Sequence, residues 1–173
     1  MIFQIGSQGH IFKEYYKDEI QLQSFTETKN KSFIFTLNQD LFFERLYLRN
    51  FRNHSIPGID NNPEWFTTNY NQPLEESDYC KLPSEDELNN KNILLEGNYF
   101  LIKLHGSCNW TSFDGSEMMV IGRGKKIQTE PLLKRYFDIF DYVLSRGLHR
   151  LFIIGYGFGD IYINLTFRRC LSI

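Results

Sequence analysis

Three short polar segments of this chain carry residue types that could do chemistry, and each follows an apolar run. Asn38 and Asp40 come after SFIFT, His105 comes after YFLIKL, and a glycine-rich turn ending at Asp160 comes after RLFII. Short apolar runs of this kind are typical of buried β-strands. Because ligands bind beyond the carboxyl ends of strands in a parallel sheet, the three segments predict one shared site at a sheet edge.

Asn38 and Asp40 could bind a sugar and an amide group. An Asn at a strand–helix junction can hydrogen-bond a ribose hydroxyl or hold a water molecule, and an Asp at a helix start can accept a carboxamide N–H. Asn and Asp are also favoured in turns and at helix N-termini. Taken alone, the two residues favour this purely structural interpretation.

His105 could act as a general base near neutral pH, because it lies at a strand end beside the flexible Gly106. A partly buried histidine bonded to backbone explains the same pattern equally well. Cys108, three residues further on, could be a nucleophilic thiol, although a small buried cysteine is the commoner case. The residues themselves leave these alternatives open.

The turn GYGFGD, residues 155–160, could bind a phosphate or a ribose. Its glycines Gly155, Gly157 and Gly159 would let backbone N–H groups approach a ligand closely. A tight turn that needs positive φ is the alternative. The strand pattern before the turn and the helix pattern after it favour binding. Another glycine pair, in GSQG at residues 6–9, is discounted because no strand pattern precedes it and no fingerprint spacing is met.

The elements that position these segments alternate between strand, loop and helix, which predicts an α/β domain with a mostly parallel sheet. The strand patterns cover Ser32–Thr36, Tyr99–Leu104, Met118–Ile121 and Arg150–Ile154, the last being the clearest buried strand. The helix patterns cover Ile11–Leu22, an amphipathic stretch from Leu41 to Leu48, a helix from Thr129 as N-cap to Gly147, and a last helix from about Asp160.

The stretch from Asn50 to Asn92 has a different composition. It holds four of the five prolines and many Asn, Asp and Glu residues. This predicts a long surface excursion within a single domain of residues 1–173. Its Trp65, Phe66 and Tyr70 suggest that part of the excursion docks on something.

Composition narrows the possible partners. A net charge of −2 gives no reason to expect nucleic acid or an acidic membrane. Cys80, Cys108 and Cys170 form no CxxC pair, so neither a structural zinc site nor a disulfide framework is expected, and a reducing cytoplasm fits. No apolar stretch approaches the roughly 20 residues needed to span a bilayer, and no signal peptide is visible.

The segments FTLNQD, KLHGSCNW and GYGFGDIYIN together resemble three ordered signatures of the sirtuin-like family. They look most like its zinc-less bacterial branch, found in antiphage defence proteins. The resemblance runs from about Ser32 to the C-terminus. The decoy Thr67–Tyr70 copies a family string more literally but lacks the flanking strand and helix. The matching residues are Thr36, Asn38, Asp40, Leu104, His105, Gly106, Ser107, Asn109, Trp110, Gly155, Tyr156, Gly157 (a Ser in the family), Phe158, Gly159 and Asp160.

The resemblance implies a three-layer, Rossmann-like fold and NAD as substrate, with no metal. The implied activity is cleavage of the nicotinamide–ribose bond: Asn38 positions water or a ribose hydroxyl, His105 takes the proton, and Asp40 holds the carboxamide. The implied NAD-binding residues are Thr36, Asp40, Gly106, Ser107, Gly155, Tyr156, Gly157, Phe158, Gly159, Asp160 and Asn164.

Two departures from the family pattern keep other functions open. The family's Gly-Ala-Gly-type phosphate loop is not visible before Phe33, and the chain stops inside the last predicted helix, so a truncated domain is expected. The alternatives are a non-catalytic nucleotide-binding module and a degenerate domain kept for self-association or for contacts with additional domains. The zinc-binding cysteine pairs of deacetylating sirtuins are missing too, which makes protein deacetylation a remote fourth function.

Overall fold

The computed structural model of the chain describes residues 2–7, 31–47, 54–59, 73–90, 93, 99–112, 114–115, 129–145 and 150–171. The strands are β1 (Ile2–Ser7), β2 (Lys31–Thr36), β3 (His54–Ser55), β4 (Cys80–Lys81), β5 (Tyr99–Lys103), β6 (Trp110–Thr111) and β7 (Arg150–Ile154). The helices are α1 (Glu85–Asn90), α2 (Pro131–Ser145) and α3 (Ile161–Leu171), with a π-helical turn at Phe43–Tyr47 and a 3₁₀ turn at Glu76–Asp78.

Five strands form one mixed sheet in the order β3-β5-β2-β1-β7, and β4 pairs with β6 separately. Strands β3, β5 and β2 run parallel, whereas β1 is antiparallel to both of its neighbours. Strand β7 therefore points the same way as β2. The expected mixed α/β fold with parallel strands is confirmed.

The register of the sheet places the carboxyl ends of β2, β5 and β7 at one edge. Thr36, the last residue of β2, lies opposite Lys103, the last residue of β5. On the other side, Ile2 lies opposite both Thr36 and Ile154, the last residue of β7. The three polar segments singled out in the sequence thus leave the sheet side by side.

The core forms around β2 and β5, whose apolar residues are buried on both faces, as in other parallel sheets. Helix α2 packs over them with a wide apolar stripe, and the Phe35 and Phe140 ring centroids lie 4.8 Å apart. The helix follows Glu130, whose carbonyl accepts the Lys134 N–H. The N-cap position is therefore Glu130, one residue after the predicted Thr129, and Pro131 opens the helix where its missing N–H costs nothing.

Strand β1 was not predicted, so one of the two reasons for discounting GSQG, the lack of a strand, was wrong. Gly6 and Ser7 are themselves part of β1. Because β1 runs antiparallel, Gly6 lies opposite Ser32 and Arg150, at the edge of the sheet away from the three polar segments. The location, and not the lack of a strand, separates this glycine from the candidate site.

The helix predicted after β2 is a single π-helical turn, and its predicted polar face is wrong. Glu44 and Arg45 are buried, while Phe42 is exposed. Both charged side chains have ionic partners, Lys103 and Asp78 respectively, which is how charged groups come to be buried. π-Helical turns are rare and occur frequently at functional sites.

The prediction that Arg150–Ile154 forms a strand is confirmed, but the prediction that this strand is buried is wrong. Phe152 is 58 % exposed and Ile154 is 62 % exposed. In the described sheet β7 is the terminal strand, paired only with β1. An apolar run indicates a strand, but the sheet order decides how much of it is covered.

The described parts of the stretch predicted as a surface excursion contain exposed residues and also residues that contact the rest of the fold. Strand β3 joins the main sheet, β4 pairs with β6, and Ile56, Leu82 and Leu88 enter the core. The patterns Ile11–Leu22, Met118–Ile121, Thr67–Tyr70, the aromatic Trp65, Phe66 and Tyr70, and Gly147 lie outside the described residues. Within the described ranges, no helix has the length and apolar character that crossing a membrane requires.

Gly58 offers a test of this packing, because its backbone has a φ of +82° and the core presses against it. A Cβ at Gly58 would lie 2.8 Å from Leu132 Cδ1 and 3.3 Å from Leu88 Cδ2. We expect Gly58→Ala to lower the free energy of unfolding by about 2–4 kcal/mol, from left-handed strain together with overpacking. Urea unfolding followed by circular dichroism measures this.

Two control variants separate the contributions. Gly115 also has positive φ, but no described atom lies within 4 Å of its Cβ position, so Gly115→Ala should show strain alone. Gly157 has neither feature, so Gly157→Ala should be nearly neutral. A Gly58→Ala protein as stable as the Gly157→Ala protein would contradict the packing described here.

Candidate functional site

A buried lysine joins the segments at the sheet edge. The Lys103 ammonium donates to the Asp40 carbonyl, to Glu44 Oε1 at 2.6 Å and to Ser107 Oγ at 2.8 Å. These three acceptors match the three N–H donors of an ammonium group. The Lys103 side chain is 1 % exposed and that of Glu44 is 3 % exposed, so the ion pair is dry. It fixes the turn after β2 against the turn after β5.

The turn after β2 is shaped by its own polar side chains. The Asn38 N–H donates to Thr36 Oγ1 at 3.0 Å, and the Phe42 N–H donates to Asp40 Oδ1 at 2.9 Å. Thr36 is buried, whereas the side chains of Asn38 and Asp40 are exposed at the sheet edge. Thr36 therefore shapes the turn, and Asn38 stands where a ligand could reach it.

The turn after β5 holds His105 against the turn after β2. The Gln39 side-chain amide donates to the His105 carbonyl at 3.2 Å, and the Cys108 N–H donates to the Gln39 carbonyl at 2.8 Å. Gly106, with a φ of +77°, allows the chain to turn between His105 and Cys108. Asn38 is therefore next in the chain to a residue that contacts the His105 backbone.

The loop after β7 reaches the same place through Asp160. Its Oδ2 lies 2.9 Å from His105 Nε2, an ion-pair distance, although the N–H direction is not aligned for a linear hydrogen bond. Its Oδ1 accepts the N–H groups of Tyr162 and Ile163, which caps α3. The contact with His105 and these N–H groups together hold the pKa of Asp160 below its ordinary value, against the opposing effect of burial.

The 155–160 loop is tied to the first turns of α3. The Tyr156 hydroxyl lies 3.1 Å from the Asp160 carbonyl and 2.9 Å from Asn164 Oδ1, and Asn164 Nδ2 donates to the Phe158 carbonyl at 2.7 Å. The Tyr156 and Phe158 rings have centroids 4.7 Å apart. Asn164 therefore closes the loop, and the NAD contact that the family resemblance implied for it stays a prediction.

The outer side of this loop is open to a ligand. At Gly155, Gly157 and Gly159, no atom of the described chain lies within 4 Å of a Cβ position. Phe158 is exposed and has a φ of 54°, a strained conformation for a residue with a side chain, of the kind that clusters at ligand-binding loops. Open backbone beside an exposed ring fits the sugar and phosphate portions of a nucleotide.

The described residues give little support for a reactive thiol or for a metal site. Burial raises the pKa of the partly buried Cys108 thiol, which disfavours the reactive thiolate. In the ranges that the structure describes, no three His, Cys, Asp or Glu side chains are grouped as metal ligands.

The structure thus divides the predicted site residues into two sets. It brings His105 and Asp160 into contact and leaves Asn38, Asp40 and the glycine loop accessible. Hydrogen bonds of Thr36, Ser107, Tyr156 and Asn164 hold the turns in shape, and the NAD contacts implied for these four residues stay predictions. The sequence analysis missed Gln39, Glu44 and the role of Lys103, although a lysine inside the apolar run YFLIKL signals a buried charge that needs partners.

Removing the buried lysine tests whether the Lys103–Glu44 ion pair holds the two turns together. Lys103→Met leaves Glu44 as an unpaired buried charge, so we expect the free energy of unfolding to fall by about 3–5 kcal/mol. Because two apolar side chains need no ionic partner, the Lys103→Met/Glu44→Leu double variant should be more stable than Lys103→Met alone. Urea denaturation measures both, with the exposed Lys134→Met as the matched control. A Lys103→Met protein as stable as the Lys134→Met protein would contradict a stabilising role of this ion pair.

The lowered pKa of Asp160 predicts a pH-dependent stability. A carboxylate with a depressed pKa stabilises the fold above its unfolded pKa of about 3.9, and this contribution is lost as the pH falls through the folded value. Asn also caps helices well, so Asp160→Asn removes the charge and retains the cap. We expect the wild-type protein to be the more stable at pH 7, and the difference to shrink as the pH falls through the lowered pKa of Asp160 in the folded protein. Urea unfolding at each pH measures it, with the exposed Asp86→Asn as control; a pH-independent difference would be the contrary result.

Comparison with known proteins identifies the family of this chain. The family model described as the SIR2-like domain matches residues 32–173, which include all three polar segments. No curated protein and no solved structure matches the chain. This family membership indicates an NAD-dependent activity in general terms. The chain belongs to the SIR2-like domain family.

Proposed function

We propose that this domain hydrolyses NAD by cleaving the bond between nicotinamide and ribose. The observation that carries the proposal is the meeting of three strand ends in a SIR2-like domain, where His105 and Asp160 lie in contact. The exposed Asn38 directly precedes Gln39, whose side-chain amide contacts the His105 carbonyl, and the open glycine loop directly precedes Asp160. Such a hydrolysis needs a base, a polar amide and accessible backbone that can bind a nucleotide.

Each accessible residue has one role in this reaction. The glycine loop, residues 155–159, binds the ribose and phosphate portions, and Asp40 holds the nicotinamide carboxamide. Breaking the glycosidic bond leaves an oxocarbenium-like sugar, which water attacks. Asn38 positions the water or a ribose hydroxyl, and His105 takes up the proton released as the new C–O bond forms. Nicotinamide and ADP-ribose are the products.

The structural residues serve the reaction by positioning these groups. Lys103 and Ser107 hold the two turns together from inside the fold. Hydrogen bonds of Tyr156 and Asn164 close the 155–160 loop against the start of α3. Pre-organisation of this kind lowers the cost of reaching the reactive geometry. We also propose a three-layer, Rossmann-like fold, membership of the antiphage-defence branch, and self-association or contacts with additional domains.

Variants of the two central residues test the hydrolysis. Incubation of the protein with NAD should release nicotinamide and ADP-ribose, followed by chromatography. General-base catalysis contributes about 10²–10⁴-fold, so His105→Ala should lower the rate by that amount. Asn38→Ala should also lower it, because the water or hydroxyl is no longer held in place.

The control variant is Asn90→Ala, an exposed asparagine at the end of α1, which should react like the wild-type protein. Circular dichroism should show all variants folded. Release that is unchanged in His105→Ala would overturn the assigned base. If the wild-type protein binds NAD in calorimetry and gives no product over hours, a nucleotide-binding module without hydrolase activity replaces this proposal.

A further inference from the structure

Both oxygens of the Asp160 carboxylate have partners within the protein. Oδ1 is occupied by two backbone N–H groups at the start of α3, at 2.9 and 3.1 Å. Oδ2 lies 2.9 Å from His105 Nε2. Only about one sixth of either side chain is exposed, 15 % for His105 and 17 % for Asp160. Oδ1 is therefore hydrogen-bonded inside the protein, and Oδ2 faces the His105 ring in an ion-pair contact whose N–H direction is not aligned for a linear hydrogen bond.

The helix cap determines where the second oxygen lies. A carboxylate is planar, so two bonds to Oδ1 from successive N–H groups fix the direction of Oδ2 as well. The Tyr156 hydroxyl beside the Asp160 carbonyl further ties this residue to the loop. The His105 backbone is held independently, through its carbonyl, by the Gln39 amide. Ring and carboxylate thus meet because two separate parts of the fold present them to each other.

We propose that Asp160 is a positioning residue for His105, which holds the ring with its proton on Nε2 and leaves Nδ1 as the nitrogen that accepts the substrate proton. A neutral imidazole has one donor and one acceptor nitrogen, and a carboxylate beside one nitrogen retains the proton there. The carboxylate also stabilises the imidazolium that forms once Nδ1 has taken up the proton. This inference rests on the proposed hydrolase function, and it replaces the direct NAD contact that the family resemblance implied for Asp160.

A double-variant cycle tests whether Asp160 acts through His105. Nicotinamide release is measured for the wild-type protein, Asp160→Asn, His105→Ala and the double variant, the last two at high protein concentration. Asp160→Asn should lower kcat at least tenfold, and by no more than His105→Ala does, while KM for NAD changes less than about threefold. The double variant should be no slower than His105→Ala alone.

Three kinetic outcomes would overturn the proposal. If Asp160→Asn raises KM and leaves kcat intact, Asp160 binds NAD directly. If it slows the His105→Ala protein further, Asp160 has a role separate from the histidine. If it has no effect on the rate, the contact plays no part in the reaction. Asp160→Glu, which restores the charge, should recover part of the lost kcat if the proposal holds.

An activity-independent measurement separates this inference from the hydrolase proposal. NMR of protein with ¹⁵N-labelled histidine reports which ring nitrogen carries the proton at neutral pH. We expect the wild-type His105 ring to be protonated on Nε2, and Asp160→Asn to reduce that preference. A proton on Nδ1 in the wild-type protein would refute the positioning role. An inactive wild-type protein that shows the Nε2 proton would refute the hydrolase function alone.

Discussion

The arrangement at the sheet edge depends on one buried ammonium group. Lys103 ends strand β5, where the apolar run YFLIKL offers no polar neighbour, and a charge placed there without partners would destabilise the fold by several kcal/mol. The turn after β2 must therefore present the Asp40 carbonyl and Glu44, and the turn after β5 must present Ser107. One electrostatic requirement fixes the shape of two turns.

The fixed turns explain why the exposed residues can be functional. Lys103, Thr36 and Ser107 hold the two turns from inside the fold, while the Asn38 side chain stays exposed at the sheet edge. The glycine loop follows the same division. Its inner side is closed by Asn164, and its outer side presents open backbone and an exposed Phe158 ring. Rigid support below an accessible surface is the arrangement that binding and catalysis require.

The sequence predicts the elements of this site better than their environment. The strands β2, β5 and β7 and the helix beginning after Asp160 follow from apolar runs and turn chemistry, which are local properties. Burial is not local. RLFII has a pattern for a buried strand but lies at the end of the described sheet, and Glu44 and Arg45 have the pattern of a solvated face but meet Lys103 and Asp78 across the fold.

Asp160 shows how the same limit affects the assignment of function. In the sequence it is the last residue of a glycine-rich turn, and both a helix cap and a nucleotide contact fit that position. The structure adds a third partner, His105, which is 55 residues away in the chain and reaches Asp160 because β5 and β7 end at the same edge. Strand β1, which was not predicted, is what sets β7 at that edge, since it pairs with both β2 and β7. The histidine–aspartate contact is therefore a product of the sheet order, and no local motif could have indicated it.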